Sequence, residues 1–144
     1  IMLMGAVYMT RVAVRLMVGD PPGNAAGGRI VHVTSIHGER VERMQSSYAI
    51  VKAALNQYCR ALALELAPQG ILVNAVQPGP IDTELNPVTG ESADYQKART
   101  SLGRFGRPEE FASLVREIVH NVMLNGEVIR IDGAIENPVE AIGE

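Results

Sequence analysis

Thiols are nearly missing from this chain: a single cysteine, Cys59, excludes an internal disulfide framework and a thiolate metal site, and it fits a reducing compartment, the cytoplasm. Long hydrophobic runs are missing too. Apolar stretches such as residues 1–4 and 71–73 fall far short of the roughly 18–20 residues that span a bilayer, and Arg11 and Arg15 interrupt the N-terminal segment. Neither a membrane span nor a secretory signal is read. There is no basic block: 13 Lys and Arg stand against 16 Asp and Glu, a net charge of −3, so the electrostatic footprint of a nucleic-acid binder is absent. Internal repeats and low-complexity tracts are lacking as well. What remains is an ordinary globular composition over 144 residues, 47% hydrophobic and 20% charged, which suits one domain with a buried core. The chain opens at Ile1 inside an apolar helix-like pattern with no cap before it, and so reads as a truncated product or a fragment.

Residues 1–18 form a mostly apolar helical stretch with Arg11 and Arg15 one turn apart. Turn residues at 19–24 stop it. The β-branched stretch 29–34, bounded by Gly27-Gly28 and Gly38, predicts a short strand with Ser35 at its C-terminal end. Residues 38–47 are polar and charged, as expected of a solvated connection. Between 47 and 66 there is no Gly or Pro, and the stretch reads as the longest helix. Its alanines at 49, 53, 54, 61 and 63 allow close approach on more than one side, in a core and in a subunit interface. The apolar run 71–76 reads as a buried parallel strand stopped by Pro78-Gly79-Pro80. A short helix is expected at 93–102, and a helix from Pro108 to about His120, where Glu109 and Glu110 complement the helix dipole. A last strand follows at 127–131. Helix and strand alternate throughout, which is the order of an α/β fold with a parallel sheet.

Tyr48 and Lys52 lie four apart on the longest helix, on one face and about 5–6 Å from each other at Cβ. A neighbouring ammonium favours a phenolate, which brings a tyrosine toward useful acid or base strength. Taken alone, such a pair also arises on purely structural helices. Its company matters more: Ser35 stands thirteen residues earlier at a strand end, where reactive groups gather in open parallel sheets. After the next strand, the loop from Pro78 to Thr83 sits on the same rim.

In these motifs the chain resembles the short-chain dehydrogenase/reductase family, in particular its 3-oxoacyl-(acyl carrier protein) reductase-like branch. The strand ending in Thr34-Ser35, the Tyr48-Ala49-Ile50-Val51-Lys52 motif, the Asn74 strand with Pro78-Gly79, the 102–110 segment and the 126–133 segment follow the family's order. The resemblance implies a Rossmann-type doubly wound parallel sheet, of which 1–144 would be the second, catalytic half in a single domain. It implies catalytic roles for Ser35, Tyr48 and Lys52, and NAD or NADP held by Tyr48, Lys52, Pro78, Gly79, Ile81 and Thr83. A carbonyl or alcohol substrate would meet Ser35 and Tyr48, and His37 is added as a substrate contact from its position two residues beyond Ser35. A homo-oligomer through helices 1–18 and 47–67 is implied as well. The reaction expected is hydride transfer between the nicotinamide and a ketone or secondary alcohol, with Tyr48 as general acid/base. A second reading is a catalytically inactive fragment that oligomerises or complements another subunit.

Three departures from the family pattern stand out. The glycine-rich pyrophosphate loop is not found, and residues 23–28 do not replace it, because they follow a helix and precede a strand, the reverse of the order that cradles phosphate. Met2 falls where the family places a catalytic asparagine. Residues 119–125 are shorter than the family pattern, and Ala134 takes the place of a common second glycine. His32, His37 and His120 show no metal-binding spacing, so no metal is expected. Cys59 reads as a buried small hydrophobe, Arg104 and Arg107 as solvated or paired surface groups, and Asp132 as a turn cap.

Overall fold

Absence of helix breakers over 46–66 gives the longest element of the computed structural model, which describes residues 2–18 and 27–135. In chain order these are helix α1 (Met2–Val18), strand β1 (Gly28–Val33), α2 (Ser46–Leu66), β2 (Ile71–Pro78), α3 (Glu91–Arg99), α4 (Pro108–His120) and β3 (Val128–Ile131), with short 3-10 turns at Ile36–Gly38 and Ala67–Gln69. Pro68 lies in the turn after α2, and Gly70 closes it in the left-handed region at φ 71°, a conformation that costs glycine no Cβ clash. Pro108 opens α4 with its fixed φ, and the Glu110 carboxylate accepts the Arg107 N–H at 2.8 Å.

The three strands form one parallel sheet in the order β1-β2-β3. Gly28 to Val33 pair with Ile71 to Val76, and Ala75 to Pro78 pair with Val128 to Ile131. Because side chains alternate along β2, Ile71, Val73 and Ala75 share one face, where they pack against Cys59, Leu62 and Ala63 of α2. Val14 and Met17 of α1 and Tyr58 of α2 close this core. Cys59 is fully buried, as expected of a small hydrophobe, and burial pushes its thiol up to about 11.

Asn74 has the opposite direction on β2 and is 1% exposed, which a polar side chain tolerates only with partners. It donates to the Leu124 carbonyl at 2.8 Å and accepts from the Glu127 N–H at 3.0 Å. Asn125 accepts from Val73 N–H at 2.9 Å and donates to the Ala63 carbonyl at 3.1 Å. Two asparagines thus tie the short 121–127 connection to β2 and α2. Ala134 sits at φ 58°, so the residue found in place of a glycine occupies a conformation that glycine favours.

Limits of β1, α2 and β3 differ by one residue from those expected, and two elements differ by more than one. The short helix runs from Glu91 to Arg99 and not over 93–102: Thr100 leaves it to bridge Ile135, and Gly103 follows at φ 64°. Strand β2 continues through Pro78 because Gly79 still donates to the Ile131 carbonyl at 2.9 Å. The 19–24 turn, residues 25 and 26 of the rejected 23–28 loop, and the tail from 136 lie outside the described residues. Among the described residues no helix is long and apolar enough to cross a membrane.

Candidate active site

Strand β1 delivers its chain to the C-terminal rim of the sheet, where Thr34 still pairs with β2 through its N–H to the Val76 carbonyl at 2.8 Å. Ser35 then breaks away in extended conformation and caps the 3-10 turn, its Oγ accepting the His37 N–H at 3.2 Å. Ser35 is buried. Its hydroxyl hydrogen is not used by that bond, so it can still donate to a second group.

Tyr48 lies in the first turn of α2, at the same rim because α2 runs back along the sheet. Lys52, one turn on, places Nζ 5.4 Å from the Tyr48 ring centre and donates to the Val33 carbonyl at 3.2 Å. That bond holds the ammonium beside the phenol. His37 meets the Tyr48 ring edge-on at 5.8 Å, and its Nε2 is 3.5 Å from the Glu42 carboxylate.

Gly38 explains how the Ser35 turn comes so close to α2. A Cβ on Gly38 would lie 2.5 Å from Asn56 Nδ2 and about as close as 3.0 Å to the Lys52 backbone. Only a glycine lets the turn rest on the helix that carries Tyr48 and Lys52.

Ser35, His37, Tyr48, Pro78 and Gly79 line one cavity of about 670 Å³. Lys52 stands behind Tyr48 and is not part of its wall. Ile81 lines a neighbouring cavity of about 240 Å³ with Pro80, which borders both. Thr83 is exposed, in a bridge with Asn86, on neither wall. Met2, at the start of α1, is 56% exposed.

Arg40, Glu42, Tyr95, Gln96 and Arg99 also line the larger cavity, and none of them belongs to the sequence motifs. The 38–47 connection is therefore solvated only in part: Glu39 and Arg43 are exposed, whereas Arg40 and Glu42 are partly buried against the cavity. The sequence Glu39-Arg40-Val41-Glu42-Arg43 carries no pattern that marks this, since its one apolar residue, Val41, is 78% exposed.

Other candidates resolve into packing and surface roles. His32 touches the Tyr58 ring at 5.8 Å, and burial lowers its pKa. Arg104 and Arg107 both pair with Glu110, at 2.8 and 3.3 Å. The Arg104 hydrogen bonds, followed by the Arg107 N–H, hold the Glu110 carboxyl down to about 2. Asp132 accepts the Ala134 N–H at 3.1 Å, as a turn cap does. Among the described residues no group of His, Cys, Asp and Glu is arranged to hold a metal.

A family model described as enoyl-(acyl carrier protein) reductase matches residues 1–135. The cyclic-di-GMP-binding biofilm dispersal mediator protein of Escherichia coli K12 is 39% identical over 75% of this chain and 47% of its own length. The 3-oxoacyl-(acyl-carrier-protein) reductase FabG of Aquifex aeolicus is 36% identical over 92% of this chain and 53% of its own. The chain thus spans about half the length of the curated relatives it matches. A solved short chain dehydrogenase from Burkholderia cenocepacia J2315, in complex with NADP, superposes with a TM-score of 0.70 at 40% identity, over 73% of this chain and 44% of that one. Motif order, parallel sheet and these likenesses converge: the chain belongs to the short-chain dehydrogenase/reductase family.

Proposed function

We propose that the protein is an NAD(P)-dependent oxidoreductase that interconverts a ketone and a secondary alcohol, 3-oxoacyl reductase-like in its catalytic residues, with Tyr48 as general acid and base. The observation that carries this reading is the placement of Tyr48 on the cavity wall with Ser35, with the Lys52 ammonium 5.4 Å behind its ring. The donor set fits a nicotinamide nucleotide. Lys52 gives the Val33 carbonyl one of its three N–H donors, which leaves two for ribose hydroxyls. Pro78 and Gly79 offer a wall with no long side chain, and Ile81 and Thr83 continue the same loop for the carboxamide or phosphate. The NADP in the solved relative supports the same reading.

A nicotinamide held by Lys52, Pro78 and Gly79 would supply a hydride to the carbonyl carbon. Ser35 donates its free hydrogen to the carbonyl oxygen and fixes its position. Tyr48 delivers its phenolic proton to that oxygen as it becomes a hydroxyl, and solvent then restores the proton to Tyr48. Lys52 stabilises the transient phenolate by its charge. In the oxidative direction each transfer reverses. His37, edge-on to Tyr48, borders the substrate carbonyl. The apolar residues exposed on α1 (Met4, Tyr8, Met9, Val12 and Leu16) and on α2 (Ile50 and Leu64) support a homo-oligomer through these two helices.

A fluorescence titration with NADPH and NADH tests the cofactor assignment. Saturable micromolar binding that weakens at least about tenfold in Lys52→Met is expected from the loss of charge-assisted hydrogen bonds. Absence of binding by the folded protein, or binding indifferent to Lys52→Met, would overturn it.

A further inference from the structure

The same cavity carries information about the substrate that the family pattern leaves open. Resting on the assignment of this cavity to carbonyl reduction, we infer that the substrate is a small carbonyl compound bearing an anionic group, a carboxylate, held by Arg40.

Charge is the first argument. Among the described residues three formally charged side chains line the cavity: Arg40, Glu42 and Arg99. Arg99 and Glu42 pair at 2.6 Å, and Arg99 Nη1 also reaches the Tyr95 hydroxyl at 3.3 Å. Glu42 is engaged a second time, by His37 Nε2 at 3.5 Å. The acid of the cavity is therefore committed to Arg99 and His37. Arg40 donates from Nη1 to the Ile135 carbonyl, a neutral acceptor. One of five guanidinium donors is used there, and its positive charge has no carboxylate partner among the described residues. A partly buried guanidinium with spare donors matches the two oxygens of a carboxylate in a fork that a neutral group cannot reproduce.

The wall itself is the second argument. Asn86, Ser92 and Gln96 add hydrogen-bonding groups to the charged ones; of the aliphatic lining residues Leu85 and Val41 are 97% and 78% exposed, and only Ile36 and Ile135 are buried. A long aliphatic acyl chain would desolvate these polar groups without replacing their hydrogen bonds. A nicotinamide held at Pro78 and Gly79 would share the cavity, and the room then left in about 670 Å³ would suit a small molecule.

The reaction balances as a reduction: the nicotinamide hydride and the Tyr48 proton convert the ketone of an oxo acid to the hydroxyl of a hydroxy acid, the carboxylate being unchanged.

The test compares short oxo acids, differing in the spacing between ketone and carboxylate, with their primary amides, by NADPH consumption. For at least one spacing the acid is expected to exceed its amide in kcat/KM by about tenfold or more, through KM, the size of one charge-assisted interaction. Arg40→Gln should bring that ratio toward one, and Arg40→Lys, which keeps the charge, should retain a preference. Thermal melts of both variants check that loss of the bond to Ile135 has not unfolded the protein. Amides matching acids at every spacing, or a ratio unmoved by Arg40→Gln, would overturn the inference. If no oxo compound is reduced, the oxidoreductase reading itself fails. The Arg40 site is then read separately, by calorimetric titration of the matching hydroxy acids into the protein with NADP. Binding lost in Arg40→Gln supports the site, and no binding by the native protein overturns it.

Discussion

Replacing Gly38 by alanine tests how the site is held together. The added Cβ would stand 2.5 Å from Asn56 Nδ2, 3.0 Å from the Lys52 carbonyl carbon and 3.1 Å from its oxygen. Asn56 is 2% exposed and has little room to turn away, and the Lys52 atoms are helix backbone. The 3-10 turn must therefore rise from α2 by a few tenths of an ångström. Overpacking of this kind costs about 1–3 kcal/mol, or a fall in Tm of about 3–10 °C for a chain of this size. Activity should suffer more than stability, because the turn carries Ser35 and His37 while α2 carries Tyr48 and Lys52, and a misplacement of under 1 Å can cost about tenfold to a hundredfold in rate. Gly5→Ala is the control: nothing lies within 4 Å of its Cβ, so it should stabilise α1 by about 0.5–1 kcal/mol and leave turnover unchanged. Thermal denaturation and kcat/KM for carbonyl reduction measure both. A Gly38→Ala protein with native Tm and native kcat/KM would refute the argument that close contact with α2 positions the turn.

Further predictions concern the core and the last strand. Ala134→Gly should raise stability by about 0.5–1 kcal/mol in chemical denaturation, because φ 58° strains alanine but not glycine; a loss of stability would show that the Ala134 methyl contributes more than the strain. For Cys59 the folded thiol sits at about 11 against an ordinary 9.0, so the unfolded state releases its proton first as pH rises. Stability should therefore fall by about 2–3 kcal/mol between the two values on account of this thiol, and that part of the slope should vanish in Cys59→Ala, leaving the part due to Tyr58, whose phenol is also pushed up by burial; an unchanged slope would contradict the assignment. Asn125→Leu should leave the buried Val73 N–H without its acceptor and cost about 1–3 kcal/mol, with exchange of that amide accelerated in hydrogen–deuterium exchange; a native exchange rate would contradict the tie between the connection and β2.

Local chemistry makes much of this fold legible. The 46–66 helix has no breaker, Pro108 with two acids marks a helix start, and β-branched runs bounded by glycine and proline mark β1 and β2. The limits of α3 are not legible, because its polar sequence has no apolar stripe to set them. Its true end is fixed by the Thr100 bridge to Ile135, a contact between residues far apart in the chain. The placement of Ser35, Tyr48 and Lys52 at one rim is readable from spacing, because one strand end and one helix face carry them, whereas their catalytic roles rest on the family resemblance. Arg40, Glu42 and Arg99 are not, since a connection that reads as solvated and a helix more than fifty residues later meet only in three dimensions, through the 2.6 Å pair between Glu42 and Arg99. Nor does any sequence pattern distinguish Ile81, which turns to a second cavity, from Gly79, which borders the first.

Tyr48→Phe removes only the phenolic oxygen and its proton, so it isolates the proton that Tyr48 is proposed to supply in carbonyl reduction. The measurement is kcat/KM for NADPH-dependent reduction of a ketone, alongside NADPH affinity and Tm of the same variant. A fall of about a hundredfold or more in kcat/KM, with cofactor affinity and Tm near native, is the predicted result. A variant that keeps most of its activity would contradict the account.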